Sequence, residues 1–98
     1  MDLSGLKEFV KDLTQSAESR AVSRALKCYA KGQVDKAIEI LTEAKSVSPE
    51  NADILFDLSR YLVLANRGSE AAEALRSALR RHPRSYQRAG EMIEELRA

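Results

Sequence analysis

The chain has 98 residues, of which 44% are hydrophobic and 32% charged, a composition that excludes a disordered or fibrous protein and fits one small globular domain. Its 16 Lys and Arg nearly balance 15 Asp and Glu, so it lacks the strong field that nucleic-acid or membrane binding draws on. Ala (14) and Leu (12) dominate and Trp is absent, which favours helices over strands.

Residues 1–17 are predicted to form one amphipathic helix. Its apolar positions recur at helical spacing, at Leu3, Leu6, Phe9 or Val10, and Leu13. No signal peptide precedes this helix and no membrane-spanning run occurs in the sequence, so we expect a cytoplasmic protein without membrane contact.

The next stretch is predicted to contain two helices. Apolar positions at Val22, Ala25, Leu26 and Tyr29 mark the first, which ends at Gly32. Asp35 is the expected cap of the second helix. This helix buries a stripe from Ala37 to Ala44 and stops at Pro49, since Pro disfavours the α conformation of its predecessor.

Two more helices follow in the same pattern, and a last one completes the chain. Asn51 is expected to cap the third helix and Ser69 the fourth, with a turn at Asn66-Arg67-Gly68 between them. The fourth helix ends before Pro83, and apolar spacing at Ala89, Met92, Ile93 and Leu96 indicates a final helix within 86–98.

The two helix pairs superimpose without a gap at an offset of 34 residues. The identities pair Ala37 with Ala71, Leu41 with Leu75, Ala44 with Ala78 and Pro49 with Pro83. Ala25 pairs with Ser59, and both are small. Small residues at these spacings let two helices approach closely, because a larger side chain would separate them.

A 34-residue helix-turn-helix unit with this pattern resembles the tetratricopeptide repeat (TPR). The resemblance implies an all-α, right-handed α-solenoid of antiparallel helix pairs with about six helices. Residues 18–51 and 52–85 would be the repeats, 1–17 a flanking helix and 86–98 a capping helix, all in one domain. The family's large aromatic is replaced by Ala21 and Leu55, and Asn66 stands where the turn Gly would be, so we expect a turn of different shape there.

The resemblance also implies a concave groove that holds a peptide or helix of another protein. Carried over by position, its contacts would be Val22, Leu26, Tyr29, Phe56, Arg60 and Val63. Tyr29 and Phe56 are the expected anchors, since aromatic side chains give a large contact area at low entropic cost. The alternative is that these residues pack against the end helices, and only an exposed Phe56 would favour binding.

A second surface is a cationic stripe, because basic residues recur every three or four positions on the first repeat helix. The stripe consists of Arg20, Arg24, Lys27 and Lys31. It is interpreted either as solvated helix surface or as a dock for an acidic protein segment. Nucleic acid is not expected, since aromatic residues do not interleave the basic ones.

Catalysis, metal binding and a cofactor are not predicted. His82 and Cys28 are each single, without partners of catalytic or ligand spacing, and the four glycines form no phosphate loop. Two functions remain open. One is a non-catalytic adaptor or scaffold that binds another protein in the groove. The other is a structural module in which an end helix joins copies of the chain or packs on neighbouring domains.

Overall fold

The computed structural model describes the backbone of residues 3–97 and the side chains of residues 17–97. Five α-helices follow one another in this part of the chain, and it contains no strand. They are α1 (Leu3–Ala30), α2 (Val34–Val47), α3 (Ala52–Leu64), α4 (Gly68–Arg81) and α5 (Tyr86–Arg97), with a 3₁₀ turn at Pro83–Ser85 before α5. The molecule measures 53 × 31 × 20 Å and is built from adjacent antiparallel helix pairs.

The expectation of about six helices is wrong by one, because α1 is a single helix of 28 residues. We expected a break between the flanking helix and the first repeat helix, near Ala17. The stretch from Thr14 to Ser19 contains no Gly or Pro, so nothing in the backbone interrupts the hydrogen-bond ladder there. The predicted apolar stripe of residues 3–13 lies outside the described side chains.

The turns between paired helices have the same shape, contrary to the expectation for Asn66. Gly32 and Asn66, one repeat apart, both adopt a left-handed backbone, with φ of 79° and 62°. Gln33 N–H donates to the Cys28 carbonyl and Arg67 N–H to the Leu62 carbonyl, each at 2.8 Å. Asn is, after Gly, the residue that tolerates this conformation best, so it substitutes for Gly without changing the turn.

Small residues lie at the centre of the helix pairs, as the repeat pattern predicts. Ala25 and Ala37 are fully buried, as is Leu41, and the second repeat buries Ser59 and Ala78 in the same way. The Ser59 hydroxyl donates to the Leu55 carbonyl at 2.9 Å, so this buried polar atom is satisfied within its own helix.

Asn51 caps α3 as predicted, and its side-chain oxygen accepts from Ile54 N–H at 3.0 Å. The other two cap predictions are wrong. Gln33 precedes α2 and Arg67 precedes α4, neither with a capping side chain, so Asp35 and Ser69 lie inside the first turns instead. The left-handed residue just before each of these positions fixes where the helix can begin.

The core has two parts, joined through α3. One packs α1 and α2 against α3 and α4, through residues that include Leu41, Ile54 and Leu58. The other packs α5 onto the second repeat, through Phe56 and Met92 among others. Since α5 covers one side of α3, the described part of the chain leaves a hollow between α1, α3 and α5, where the candidate site lies.

Candidate functional site

A groove of about 560 Å³ runs between α1 and α3, and the start of α5 borders it. Its walls are Glu18, Ser19, Val22, Ser23, Asn51, Asp53, Asp57 and Arg88. The repeat geometry explains this placement, since the first helices of successive units lie side by side. Asn51 links the two walls because its amide donates to the Glu18 carboxylate at 2.5 Å.

Acidic groups outnumber basic ones on the groove walls. Three carboxylates, Glu18, Asp53 and Asp57, face one guanidinium, that of Arg88, which pairs with Asp53 at 2.8 Å. Burial raises the pKa of the Asp57 carboxyl, and the nearby Asp53 charge adds to this, although Arg60 acts in the opposite direction. The groove therefore favours a positively charged group from outside.

Arg60 crosses from α3 to α5 and holds two acids. Its guanidinium lies 3.1 Å from Asp57 and 3.1 Å from Glu95. Its Nε is buried without a hydrogen-bond partner. A second hollow of about 320 Å³ opens beside it, bordered also by Glu91 and Met92. Because Arg60 is shared between two carboxylates, it does not cancel the acidic excess.

Phe56 is not an exposed anchor, so its prediction as a groove contact is corrected. Only 1% of the residue is accessible, and it packs with Ala89 and Met92 of α5. The Arg88 guanidinium lies over its ring, 4.5 Å from the centroid, in a cation–π contact. The alternative interpretation, packing against an end helix, is the correct one for this residue.

The other apolar residues predicted for the groove are at least partly accessible. Leu26 is 56% exposed, Val63 41% and Tyr29 38%, and Val22 is half-buried in the groove wall. The ring of Tyr29 is in contact with that of Tyr61, with centroids 5.3 Å apart and planes tilted by 32°. One face of Tyr29 is thus fixed by the core while the rest of its side chain stays accessible.

The cationic stripe lies on the outer side of α1. Arg20, Arg24, Lys27 and Lys31 are all exposed, whereas Ala25, on the opposite side of the helix, is fully buried. Of the six residues predicted for the groove, only Val22 is among its walls, whereas Phe56 and Arg60 border the hollow beside α5 and the other three border neither. None of the four stripe residues is a wall of the groove. Only Arg24 of the stripe borders a hollow that we describe, and that hollow is not the groove.

Sequence reasoning missed two contributors to the site, Arg88 and Glu95. Both come from α5, which was interpreted as a cap or as an end helix that joins copies of the chain or packs on neighbouring domains, and not as part of this site. Its direction depends on the 3₁₀ turn at Pro83–Ser85, and the one available signal was the Pro that begins this turn. The link between Glu18 and Asn51 was also missed, since it joins residues far apart in the sequence.

Among the side chains of residues 17–97, no cluster of His, Cys, Asp or Glu has the composition and proximity to hold a metal ion. No helix of the described backbone, residues 3–97, is long and apolar enough to cross a membrane. What the groove can do chemically is to form ion pairs, hydrogen bonds and apolar contacts with a bound segment.

Comparison with known families gives one match. The model of the tetratricopeptide repeat matches residues 29–94, two thirds of the chain. A search of curated proteins found no match. A search of solved structures found none either.

Proposed function

The chain belongs to the tetratricopeptide repeat family, whose repeats mediate protein–protein interaction, and from this we propose that it is a non-catalytic adaptor or scaffold. Its partner would be another protein, bound through a peptide or helical segment in the groove between α1 and α3. The proposed location is the cytoplasm, where a lone thiol such as that of Cys28 stays reduced.

The observation that carries this proposal is the combination of exposed apolar side chains with an acidic groove. Leu26, Tyr29 and Val63 leave apolar surface accessible on the first helices of both repeats. Isolated exposed apolar residues are common, but three on neighbouring first helices form a surface that a partner can cover.

The charges define the kind of segment that fits. Asp53 and Asp57 lie on the same wall, and Glu18 lies opposite. A partner segment with a Lys or Arg beside apolar residues would satisfy both parts of the surface. The cationic stripe would suit an acidic segment instead, but it lies on an outer helix face, so we assign the partner to the groove.

The test is selection from a displayed library of random peptides on the immobilised protein. We expect enrichment of peptides that combine apolar residues with Lys or Arg. The same selection on a variant with Leu26→Asp and Val63→Asp should lose this enrichment. Both residues are substantially exposed, so the variant is expected to fold, which circular dichroism checks.

The matched control is Val47→Asp, a change at an 80% exposed valine of α2, away from the two first helices α1 and α3 that carry Leu26 and Val63. It should retain the enriched peptides. Enrichment that is equal on the parent and on the double variant would show that the exposed apolar residues of α1 and α3 are not part of the binding surface, and absence of any enrichment would argue against a peptide-binding function.

A further inference from the structure

A further hollow, distinct from the groove and from the hollow beside Arg60, lies between α1 and α2. It has a volume of about 230 Å³, and most of its lining residues are apolar, namely Ala17, Ala21, Ile40, Ala44 and Val47, while Glu18, Arg24, Glu43 and Ser48 complete the lining. Val47 is 80% exposed, the most exposed of the large hydrophobic residues from 17 to 97. An apolar side chain this exposed on a helix, next to an apolar hollow, favours a covering partner.

The repeat itself shows what covers this face. In the second repeat, Leu58, Ala74 and Ser77 line a hollow whose other side is formed by α2, and Leu58 and Ala74 also pack in one core cluster with Ile38 and Leu41 of α2. The positions 34 residues earlier are Arg24, Ile40 and Glu43, which line the hollow in the first repeat. The face of the second repeat that has α2 beside it thus corresponds to a face of the first repeat whose hollow is lined by α1 and α2 alone, with Ser48, in the described part of the chain. A helix is the element that fits it, as in any stack of repeats.

The chain contains a helical segment of suitable pattern. Helix α1 has 28 residues and α2 only 14, so α2 runs beside the second half of α1 and the first half continues beyond it. Apolar positions in that first half are Leu3, Leu6, Val10 and Leu13, and Ala17 and Ala21 of the hollow continue them at intervals of three or four. At about 100° per residue, all six positions fall within an arc of roughly 80° on α1.

We propose that a second copy of this chain covers the hollow with the first half of its α1, in an antiparallel arrangement with two-fold symmetry. The interface is isologous, because each copy supplies one hollow and one helix. Ala17 and Ala21 allow the two α1 backbones to approach closely, and Val47 contacts the partner helix from α2. The peptide groove takes no part in this interface.

The symmetry fixes a register. The apolar positions of the first half are centred at about residue 8 and those of the hollow on α1 at about residue 19, which places the two-fold axis near Leu13. This register places position 13 of one α1 beside position 13 of the other, and position 10 of one copy beside position 17 of the other.

The first test is the mass in solution, measured by sedimentation equilibrium across a range of concentrations. We expect the parent to reach about twice the 10.9 kDa of the single chain. Val47→Asp should be a folded monomer that still binds the peptides selected on the groove. Leu26→Asp with Val63→Asp should remain a dimer, which separates this proposal from the peptide-binding function.

A second variant tests whether a loss of the dimer in Val47→Asp reflects the proposed interface or only a local change at residue 47. Leu6→Glu with Val10→Glu changes only the other side of the proposed interface and should also give a monomer. A parent that stays monomeric at all concentrations overturns the proposal. So does a dimer that survives both Val47→Asp and the Leu6 and Val10 change.

The antiparallel register is tested by disulfide cross-linking. A Leu13→Cys variant in which Cys28 is changed to Ser should form a covalent dimer under mild oxidation, because the two sulfur atoms meet at the axis. The matched control carries Cys in place of Lys36 on α2 and should not cross-link. A dimer that cross-links no better at residue 13 than at residue 36 contradicts this arrangement.

Discussion

At the scale of single residues, burial separates side chains that stabilise the fold from side chains that are free to bind. Phe56 and Val22 occupy equivalent first-helix positions 34 residues apart, yet Phe56 is 1% exposed and Val22 only half-buried. The difference arises because α5 follows the second repeat and covers Phe56. The role of such a position thus depends on the element that comes after it in the stack.

Phe56→Ala should destabilise the protein by about 3–5 kcal/mol, the usual cost of removing a buried Phe side chain. Urea unfolding followed by circular dichroism measures this. Tyr86→Ala is the matched control, since that aromatic residue is 68% exposed and its loss should change the free energy of unfolding by less than about 0.5 kcal/mol. Equal stability of the two variants would contradict the placement of Phe56 in the core.

Asp57 gives a prediction for pH. Burial raises its pKa above the ordinary value, so the folded state holds this proton more firmly than the unfolded chain does. The bound proton therefore stabilises the folded state below pH 3.8, and this stabilisation is lost as the pH rises through the raised pKa of Asp57. In Asp57→Asn the side chain does not ionise, so the variant does not lose stability in this way.

Relative to the parent, Asp57→Asn should therefore gain stability between pH 3 and pH 7, as measured by urea unfolding at both values. Asp35→Asn, at an exposed site in the first turn of α2, is the control for a change of net charge. A relative stability of Asp57→Asn that falls over this range would mean that the ion pair with Arg60 outweighs the burial of the carboxyl.

At the scale of helices and turns, the positive φ of Gly32 and Asn66 sets where each second helix begins. Gly32→Ala should lower the free energy of unfolding by about 1–2 kcal/mol, because an L side chain is strained in the left-handed conformation. A Cβ at Gly32 would meet no atom within 4 Å, so the cost is one of backbone strain alone.

Gly68→Ala is the matched control for this turn. Gly68 also has open space around it but lacks a positive φ, and it begins α4. Its change to Ala should leave stability equal or increase it by up to about 1 kcal/mol. Thermal or urea unfolding measures the stability of the two variants. An equal decrease in the free energy of unfolding of both would show that the left-handed conformation of Gly32 is not the cause of the destabilisation.

The features of the fold that could be predicted from the sequence are those set by neighbouring residues or repeated at the period of 34 residues. Features that depend on contacts between distant parts of the chain could not be predicted in this way. The period predicted the positions of both turns, though not the shape of the one at Asn66, together with the small residues at the helix contacts and the Asn51 cap, because these are local or repeat at a fixed offset. The continuity of α1 was missed, since the first repeat was taken to begin at residue 18 and residues 1–17 to form a separate helix. The boundary of a repeat need not be a break in the backbone of a helix.

Less of the candidate site could be predicted. Five of the six residues predicted for it, all except Phe56, are at least partly accessible, but only Val22 is among the walls of the groove. Phe56 was misjudged, and Arg88 and Glu95 were missed, because all three depend on how α5 packs on α3. That packing joins parts of the chain that no single repeat contains, so a pattern of period 34 does not encode it.

At the scale of the whole molecule, the helix stack has two surfaces with different chemistry. One is the acidic groove between α1 and α3, two helices that also carry the exposed Leu26, Tyr29 and Val63. The other is the apolar hollow between α1 and α2. Because the two surfaces share only Glu18 among their lining residues, a segment of another protein and a second copy of the chain could be bound at the same time, and the variants Leu26→Asp with Val63→Asp and Val47→Asp should act independently.

The most direct test of the central claim, that the groove binds a protein segment, is chemical-shift mapping with a peptide selected on the parent protein. In ¹H–¹⁵N spectra, the account predicts that shifts concentrate in residues 18–29 and 53–64 and at Arg88. Amides on the outer faces of α2 and α4, such as those of the exposed Glu39 and Arg76, should be unaffected. Shifts centred on α2 and α4, with the groove unchanged, would contradict the account.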